Sequence, residues 1–146
     1  MPHKANRKDD PPPGFTVSSI FDGKFADRVG PLYEKRLPDG RWLFGVRVRP
    51  DHCNARETMH GGMMMTLADQ VLGLTVDRAL EDGAQTATVS LNCDLIAAAL
   101  PGDWVEGEAQ VVRKTRSIVF VRGTLTRADS GEVLLSASGL WKRLKG

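Results

Sequence analysis

Cysteine is scarce in this chain. Cys53 and Cys93 are its only two, and neither their number nor their spacing builds a disulfide framework or a C-x-x-C metal site. Both are expected as reduced thiols. Cys53 lies beside His52 and seven residues before His60, but nothing in the sequence marks the third group that would orient a Cys/His nucleophile. Net charge is also small. Lys and Arg outnumber Asp and Glu by only two, which supplies no field of one sign to hold nucleic acid or a membrane surface. Long apolar runs are missing as well. Met63 to Val76 comes nearest, and Thr66, Asp69 and Gln70 interrupt it, well short of the roughly 20 apolar residues of a membrane span. Residues 1–14 contain His3, Lys4, Arg7, Lys8, Asp9, Asp10 and then Pro11-Pro12-Pro13, without the apolar core of a secretory signal. A mobile tail on a cytoplasmic protein is expected there, followed by one globular domain over 15–146.

The pattern along the chain supports an α+β domain. Leu32 to Leu37 and Trp42 to Val48 flank Pro38-Asp39-Gly40, a turn in which Pro presets φ and Gly accepts a positive one, so a hairpin is predicted. In its second arm Trp42, Phe44, Val46 and Val48 share one face and Arg41, Arg47 and Arg49 the other. Phe15 to Val29 is ambiguous. From His60-Gly61-Gly62 to about Leu80 no proline intervenes, and this is the one long helix. Met63, Met64, Leu67, Val71, Leu72 and Leu74 cover a wide apolar arc, while Gly62, Thr66, Asp69, Gln70, Gly73 and Asp77 form a small, polar stripe that another surface could approach closely. Period two then persists through Gln85 to Ile96, Asp103 to Arg113, Ser117 to Arg127 and Glu132 to Trp141, with turn signals between. In the first of these runs Thr86, Thr88, Ser90, Asn92 and Asp94 alternate against Ala87, Val89, Leu91, Cys93 and Leu95. The prediction is an antiparallel sheet of about six strands packed on one helix.

The segment Asn54 to Asp69 is the most informative: an Asn, a short loop, His60-Gly61-Gly62, and an Asp nine residues after the His. It resembles the signature of the hotdog-fold acyl-CoA thioesterases of the phenylacetate-degradation (PaaI-like) type. The resemblance extends over about Gly30 to Trp141, including the spacing of Asp69 to Thr88 and Pro101-Gly102-Asp103. It implies a hotdog fold with its sheet wrapped around the central helix, hydrolysis of an acyl-CoA to free acid and coenzyme A, and paired subunits, as dimer or tetramer, with joined sheets and active sites at the interface. Coenzyme A enters as part of the substrate, and no other cofactor or metal is implied.

Physically, acyl transfer turns a planar carbonyl into an oxyanion that needs preorganised donors. The first N–H groups of a helix are such donors, and Gly61 and Gly62 leave that end open. By resemblance, Asp69 is nucleophile or general base, Asn54 orients the carbonyl or the water, His60 orients the Asn and lies near the leaving sulfur, and Thr88 positions water. Arg113, Lys114 and Arg116 lie near the nucleotide end of coenzyme A, where cations suit its phosphates. Without the resemblance each residue has a plainer reading: a tightly packed helix start, a solvated helix face, a turn-forming Asn, a structural His, a strand Thr, a basic turn. Glu57 stands where the family commonly has Gly, which puts the loop shape in question. Two other functions stay open, a non-catalytic acyl-CoA-binding module and a hotdog dehydratase or hydratase. Finally, Gly61 and Asp69 are eight residues apart on one helix, about 12 Å along its axis. They cannot both reach one carbonyl carbon, so if both are catalytic the site is shared between two chains.

Overall fold

The structure is a computed structural model that describes residues 10–18 and 23–144. Seven strands form one antiparallel sheet: β1 (Thr16–Val17), β2 (Tyr33–Arg36), β3 (Trp42–Arg47), β4 (Thr86–Leu95), β5 (Trp104–Lys114), β6 (Ile118–Arg127) and β7 (Val133–Arg143). A short helix α1 (Phe25–Val29) precedes β2, and α2 (Gly61–Ala79) follows β3. The order across the sheet is β1-β2-β3-β5-β6-β7-β4. The long helix therefore carries the chain from one half of the sheet to its far edge, where β4 pairs with β7.

The predicted hairpin and helix form for the reasons read from the sequence. Gly40 turns at φ 89°, and the Asp39 carboxylate accepts the Arg41 N–H at 3.0 Å. Helix α2 buries Met64, Leu67, Ala68, Val71, Leu72, Leu74 and Val76 and leaves its polar stripe outside. Its apolar face lies on β5, β6, β7 and β4, against Val105, Val119, Val121, Leu125, Leu135 and Trp141. Gly107 and Gly123 set how close it lies: a Cβ at either would meet Val71 or Leu72 of the helix inside 3.0 Å. Sheet and helix meet backbone to side chain there.

Three local outcomes differ from the periodicity. The ambiguous stretch supplies β1 and α1, and β1 makes the seventh strand. Arg47, placed on the face opposite Phe44, is buried: Trp104 of β5 crosses over Gly45, the Arg47 guanidinium stacks on that ring at 5.1 Å, and its charge is met by Asp10 at 2.5 Å. Only residues 1–9 of the expected tail lie outside the described residues, with Gly14 and Phe15 already packed on Lys35 and Trp104. The third outcome is in β4. Its pairing with β7 shifts between Thr88 and Ser90, so the alternation from Thr86 to Asp94 does not stay on one face. Thr86 and Thr88 look at the helix before this bulge, and Leu91 and Cys93 pack on the core after it. A bulge re-aims side chains in this way.

Candidate active site

The N-terminus of α2 is prepared by the loop before it. His52 is buried, its Nε2 donating to the Val29 carbonyl at 2.7 Å and its Nδ1 accepting the Arg49 N–H at 3.0 Å. Burial pushes the His52 pKa below its ordinary value, which fits a neutral ring fixed in the Nε2–H tautomer. The ring ties α1 to the turn Pro50–His52 and takes no part in nucleophile activation. The Cys53 thiol is pushed up by burial and by the carboxylates of Asp51 and Glu57, so a Cys/His nucleophile has neither an available base nor a ready thiolate.

From Cys53 to Met59 the chain doubles back, closed by a bridge between those two residues. Asn54 organises this loop. Its N–H donates to the Thr58 carbonyl at 2.9 Å, and its Oδ1 accepts from the Arg56 N–H at 3.0 Å, the Thr58 N–H at 3.3 Å and the Thr58 hydroxyl at 3.2 Å. The side-chain carbonyl is thus spent on the turn. What Asn54 has left to offer a ligand is its Nδ2 donor pair. Glu57 has φ 62°, the left-handed region that favours glycine. That is the conformation for which the glycine implied by the resemblance would be suited, and here Glu adopts it.

His60 is the N-cap of α2. Its Nδ1 accepts the Gly62 N–H at 2.8 Å, and glycine at 62 leaves room for this, since a Cβ there would come to 3.0 Å from Nδ1. Two consequences follow. The neutral ring must carry its proton on Nε2, which points away from the cap, and the amide of Gly62 is already used. Gly61 keeps the first N–H of the helix, which has no partner inside it. A Cβ on Gly61 would lie 3.0 Å from Leu95 Cδ2, so glycine also seats the helix start against the end of β4.

Two turns further on, Asp69 Oδ1 accepts the Thr88 hydroxyl at 2.7 Å. The β4 bulge makes this contact by turning Thr88 to the helix. Two turns beyond again, the same pattern recurs: Thr86 donates to Asp77 Oδ1 at 2.6 Å. Periodicity placed Asp77 in the helical stripe, but only the strand-to-helix packing reveals its partner. Asp69 and Gly61 remain on one helix, about 12 Å apart along it. The structure joins His60 and Gly62 at the start of the helix, holds Asn54 on Arg56 and Thr58 in the loop before it, and pairs Asp69 with Thr88 in the middle. It does not bring the two groups together within one chain.

Arg113, Lys114 and Arg116 stand at the far end of α2. Lys114 Nζ donates to the Ala79 carbonyl at 3.1 Å, a cation at the negative end of the helix. Arg113 pairs with Phe120 and Lys114 with Val119, so these two side chains leave the sheet on opposite faces. The basic turn is split between them.

A family model of the thioesterase superfamily matches residues 57–134, the stretch that carries the helix, Asp69 and Thr88. The chain belongs to the thioesterase superfamily. It is a thioester hydrolase, with the hotdog architecture that its sequence signature implied. Among relatives, a Pseudomonas aeruginosa protein described as a candidate esterase is 33% identical over 79% of this chain and 84% of its own length. Human acyl-coenzyme A thioesterase 13 is 26% identical over 65% of this chain and 67% of its own. Of solved structures, a Bacillus halodurans protein crystallised with CoA superposes with a TM-score of 0.72 and 26% identity, covering 77% of this chain and 74% of that one. The E. coli PaaI protein shares the fold at a TM-score of 0.69 and 17% identity, over 83% and 84%. No helix among the described residues of this superfamily member is long and apolar enough to cross a membrane.

Proposed function

We propose that this thioesterase hydrolyses acyl-CoA at a site made by two copies of the chain, one supplying the N-terminus of α2 and the other its Asp69. The separation of Gly61 from Asp69 on one helix carries this proposal: a reacting carbon needs its oxyanion donor and its base within about 3 Å, and a single chain holds them some 12 Å apart. A relative is named an acyl-coenzyme A thioesterase and a structural neighbour was crystallised with CoA, which supports the substrate class. The open edge of β4 offers the place for a second copy.

In the proposed site the thioester oxygen accepts from the Gly61 N–H, with Asn54 Nδ2 as a second donor. The partner's Asp69 takes a proton from water as the water oxygen attacks the carbonyl carbon, and Thr88, holding Oδ1, leaves Oδ2 for that task. The tetrahedral intermediate collapses, the C–S bond breaks, and the thiolate, beside His60 Nε2–H, takes up the proton that Asp69 received from water and leaves as free coenzyme A, which restores the carboxylate. Direct attack by Asp69 through an anhydride is the other route for the same carboxylate. Lys114, the member of the basic turn that faces the helix, would meet the nucleotide phosphates with Arg116 beside it, while Arg113 leaves on the other face; no metal or further cofactor is required, and two unpaired thiols suit a cytoplasmic setting.

The test is complementation. Asp69→Asn and Asn54→Ala proteins, each impaired, are mixed under conditions in which subunits exchange, and thiol release from acyl-CoA is followed. Random pairing makes about half of the dimers mixed, each with one intact site, so recovery should approach roughly a quarter of the wild-type rate. No recovery despite proven exchange means the site lies within one chain.

A further inference from the structure

Asp69, Gly73 and Asp77 follow one another at four-residue steps, so they stand in one row on α2, about 6 Å apart along its axis. Thr88 holds Asp69 and Thr86 holds Asp77, in each case through Oδ1. At the middle rung glycine presents no side chain, and a Cβ there would come to 3.2 Å from Trp141 Nε1. Trp141 is only 3% exposed. Its indole N–H nevertheless bonds to no group among the described residues and is not sealed from solvent. A buried indole N–H normally has a partner, and this one faces the gap that Gly73 leaves. Asp77 keeps its Oδ2 open as well, because the nearby cations are turned elsewhere: Lys114 to the Ala79 carbonyl, Arg143 to Asp82 and Arg78 to Glu34. We infer that this row seats the pantetheine arm of coenzyme A, with the Trp141 indole N–H donating to the carbonyl of its first amide and Asp77 Oδ2 accepting the N–H of its second; this rests on the acyl-CoA reading above, which puts the reacting carbon at Asp69.

The spacing of the row matches the arm. Counted from the reacting carbon, the first amide carbonyl lies at roughly 6 Å and the second amide nitrogen at roughly 10 Å, at the advance per bond of an extended chain. Gly73 is about 6 Å beyond Asp69 along the helix and Asp77 about 12 Å, and helical side chains lean back toward the N-terminus, which brings the Asp77 carboxylate to the shorter distance. Donor then acceptor is also the order that the arm requires. An aliphatic acyl chain laid along the same row would strip water from Asp77 and the indole N–H without replacing their hydrogen bonds. Beyond Asp77 the surface opens into a cavity of about 390 Å³ bounded by Gly83, Gln85 and Leu144, and past it Lys114 stands at the helix end. From Asp69 to Ala79 is about 15 Å along the axis, and the extended arm from sulfur to the first phosphorus spans roughly 15 Å. All of these groups are on the chain that supplies Asp69.

The test presents one acyl group on two thiols, pantetheine, which has both amides, and N-acetylcysteamine, which has only the first. Neither carries the nucleotide, so Lys114 stays out of the comparison. Asp77→Ala should lower kcat/KM on the pantetheine thioester about tenfold, through KM, the size of one hydrogen bond to a charged group. The N-acetylcysteamine thioester, with no second N–H, should respond far less. Trp141→Phe keeps a ring beneath Gly73 but removes the N–H, and should weaken both substrates. Thr86→Val, which releases Asp77 Oδ1, should give a smaller version of the Asp77→Ala effect, and Thr86→Ser should restore it. Urea midpoints of each variant put the rates on a per-folded-molecule basis. An Asp77–Thr86 pair that is only structural would lower the midpoint and leave the ratio between the two thiols alone, which overturns the inference. Equal losses on both thiols overturn it too, because the acyl group and not the thiol then lies over Asp77. Complementation that succeeds without any difference between the thiols rejects the amide row alone. Asp69→Asn protein of full activity removes the point from which the row is measured and rejects both.

Discussion

The two edges of this sheet are finished in opposite ways. At one, β1 is two residues long, and the strands behind it are locked by matched groups: Arg47 between Asp10 and the Trp104 ring, and Phe15 edge-on to the same ring at 5.1 Å. Gly45 exists there to admit Trp104, since a Cβ would lie 2.2 Å from its Cζ2. At the other, β4 is long, open and bulged, and its hydroxyls reach across to carboxylates on the helix. One edge concentrates packing. The other leaves apolar side chains exposed and holds hydroxyl–carboxylate pairs instead.

Asp69→Asn should separate the edges most sharply. It keeps size and packing but removes the base, so kcat should fall about 10²–10⁴-fold, the range of general-base catalysis. Unfolding free energy should move by no more than about 0.5 kcal/mol, as for a residue outside the core. Thiol release and urea denaturation measure the two. A large loss of stability would make Asp69 a structural residue.

Trp104→Ala is the mirror experiment at the closed edge. Truncating a buried Trp removes the platform under Arg47, Phe15 and Tyr33 and should cost about 3–5 kcal/mol. The rate per folded molecule should stay close to wild type at a temperature where the variant is folded. A selective loss of kcat with intact stability would contradict the division between the edges.

How far the sequence disclosed this division depends on how local each cause is. Helix α2 was legible to within a residue or two because its apolar arc repeats every turn, and the hairpin was legible because Pro38-Asp39-Gly40 dictates its own geometry. Arg47 was not: its burial depends on Asp10 and Trp104, 37 and 57 positions away in the numbering, and strand alternation says nothing of either. The bulge at Val89 left no mark, since Thr86 to Asp94 alternates without interruption. Yet that bulge decides whether Thr88 faces Asp69. The Asn54, His60 and Asp69 positions came from a family signature, and their distance from one another needed only the rise of a helix. The local role of Asn54 in holding Thr58 needed the fold.

A smaller effect should appear in the pH dependence of stability. Burial holds His52 neutral in the folded chain, whereas an unfolded histidine gains a proton near pH 6.5. Below that pH the unfolded state binds more protons, so the contribution of His52 is complete above it and is lost as pH falls through it. Urea midpoints measured from pH 8 to pH 5 should decline through this window, and His52→Gln, which cannot take up the proton, should flatten the decline. An unchanged slope in that variant would assign the pH dependence to other groups. His52 ties α1 to the loop that carries Asn54, so this titration touches the N-terminal end of α2 and leaves the closed edge alone.

The smallest expected effect is at Glu57, in the loop between Asn54 and His60. A non-glycine residue in the left-handed region costs about 1–2 kcal/mol, and Glu57 sits there at φ 62°. Glu57→Gly relieves that strain but frees the unfolded chain, a loss of about 0.4–1 kcal/mol. The balance is a gain between zero and roughly 1.6 kcal/mol, small because the two effects oppose each other. Strain kept in a loop usually persists because the surroundings over-determine it, and here the three bonds to Asn54 Oδ1 do so. Denaturation should therefore show equal or higher stability with kcat nearly unchanged. A fall in stability would mean that the Glu57 side chain makes a contact that outweighs the strain, and a fall in kcat alone would mean that the stiffness of Glu57, rather than the loop path, holds Asn54 in position.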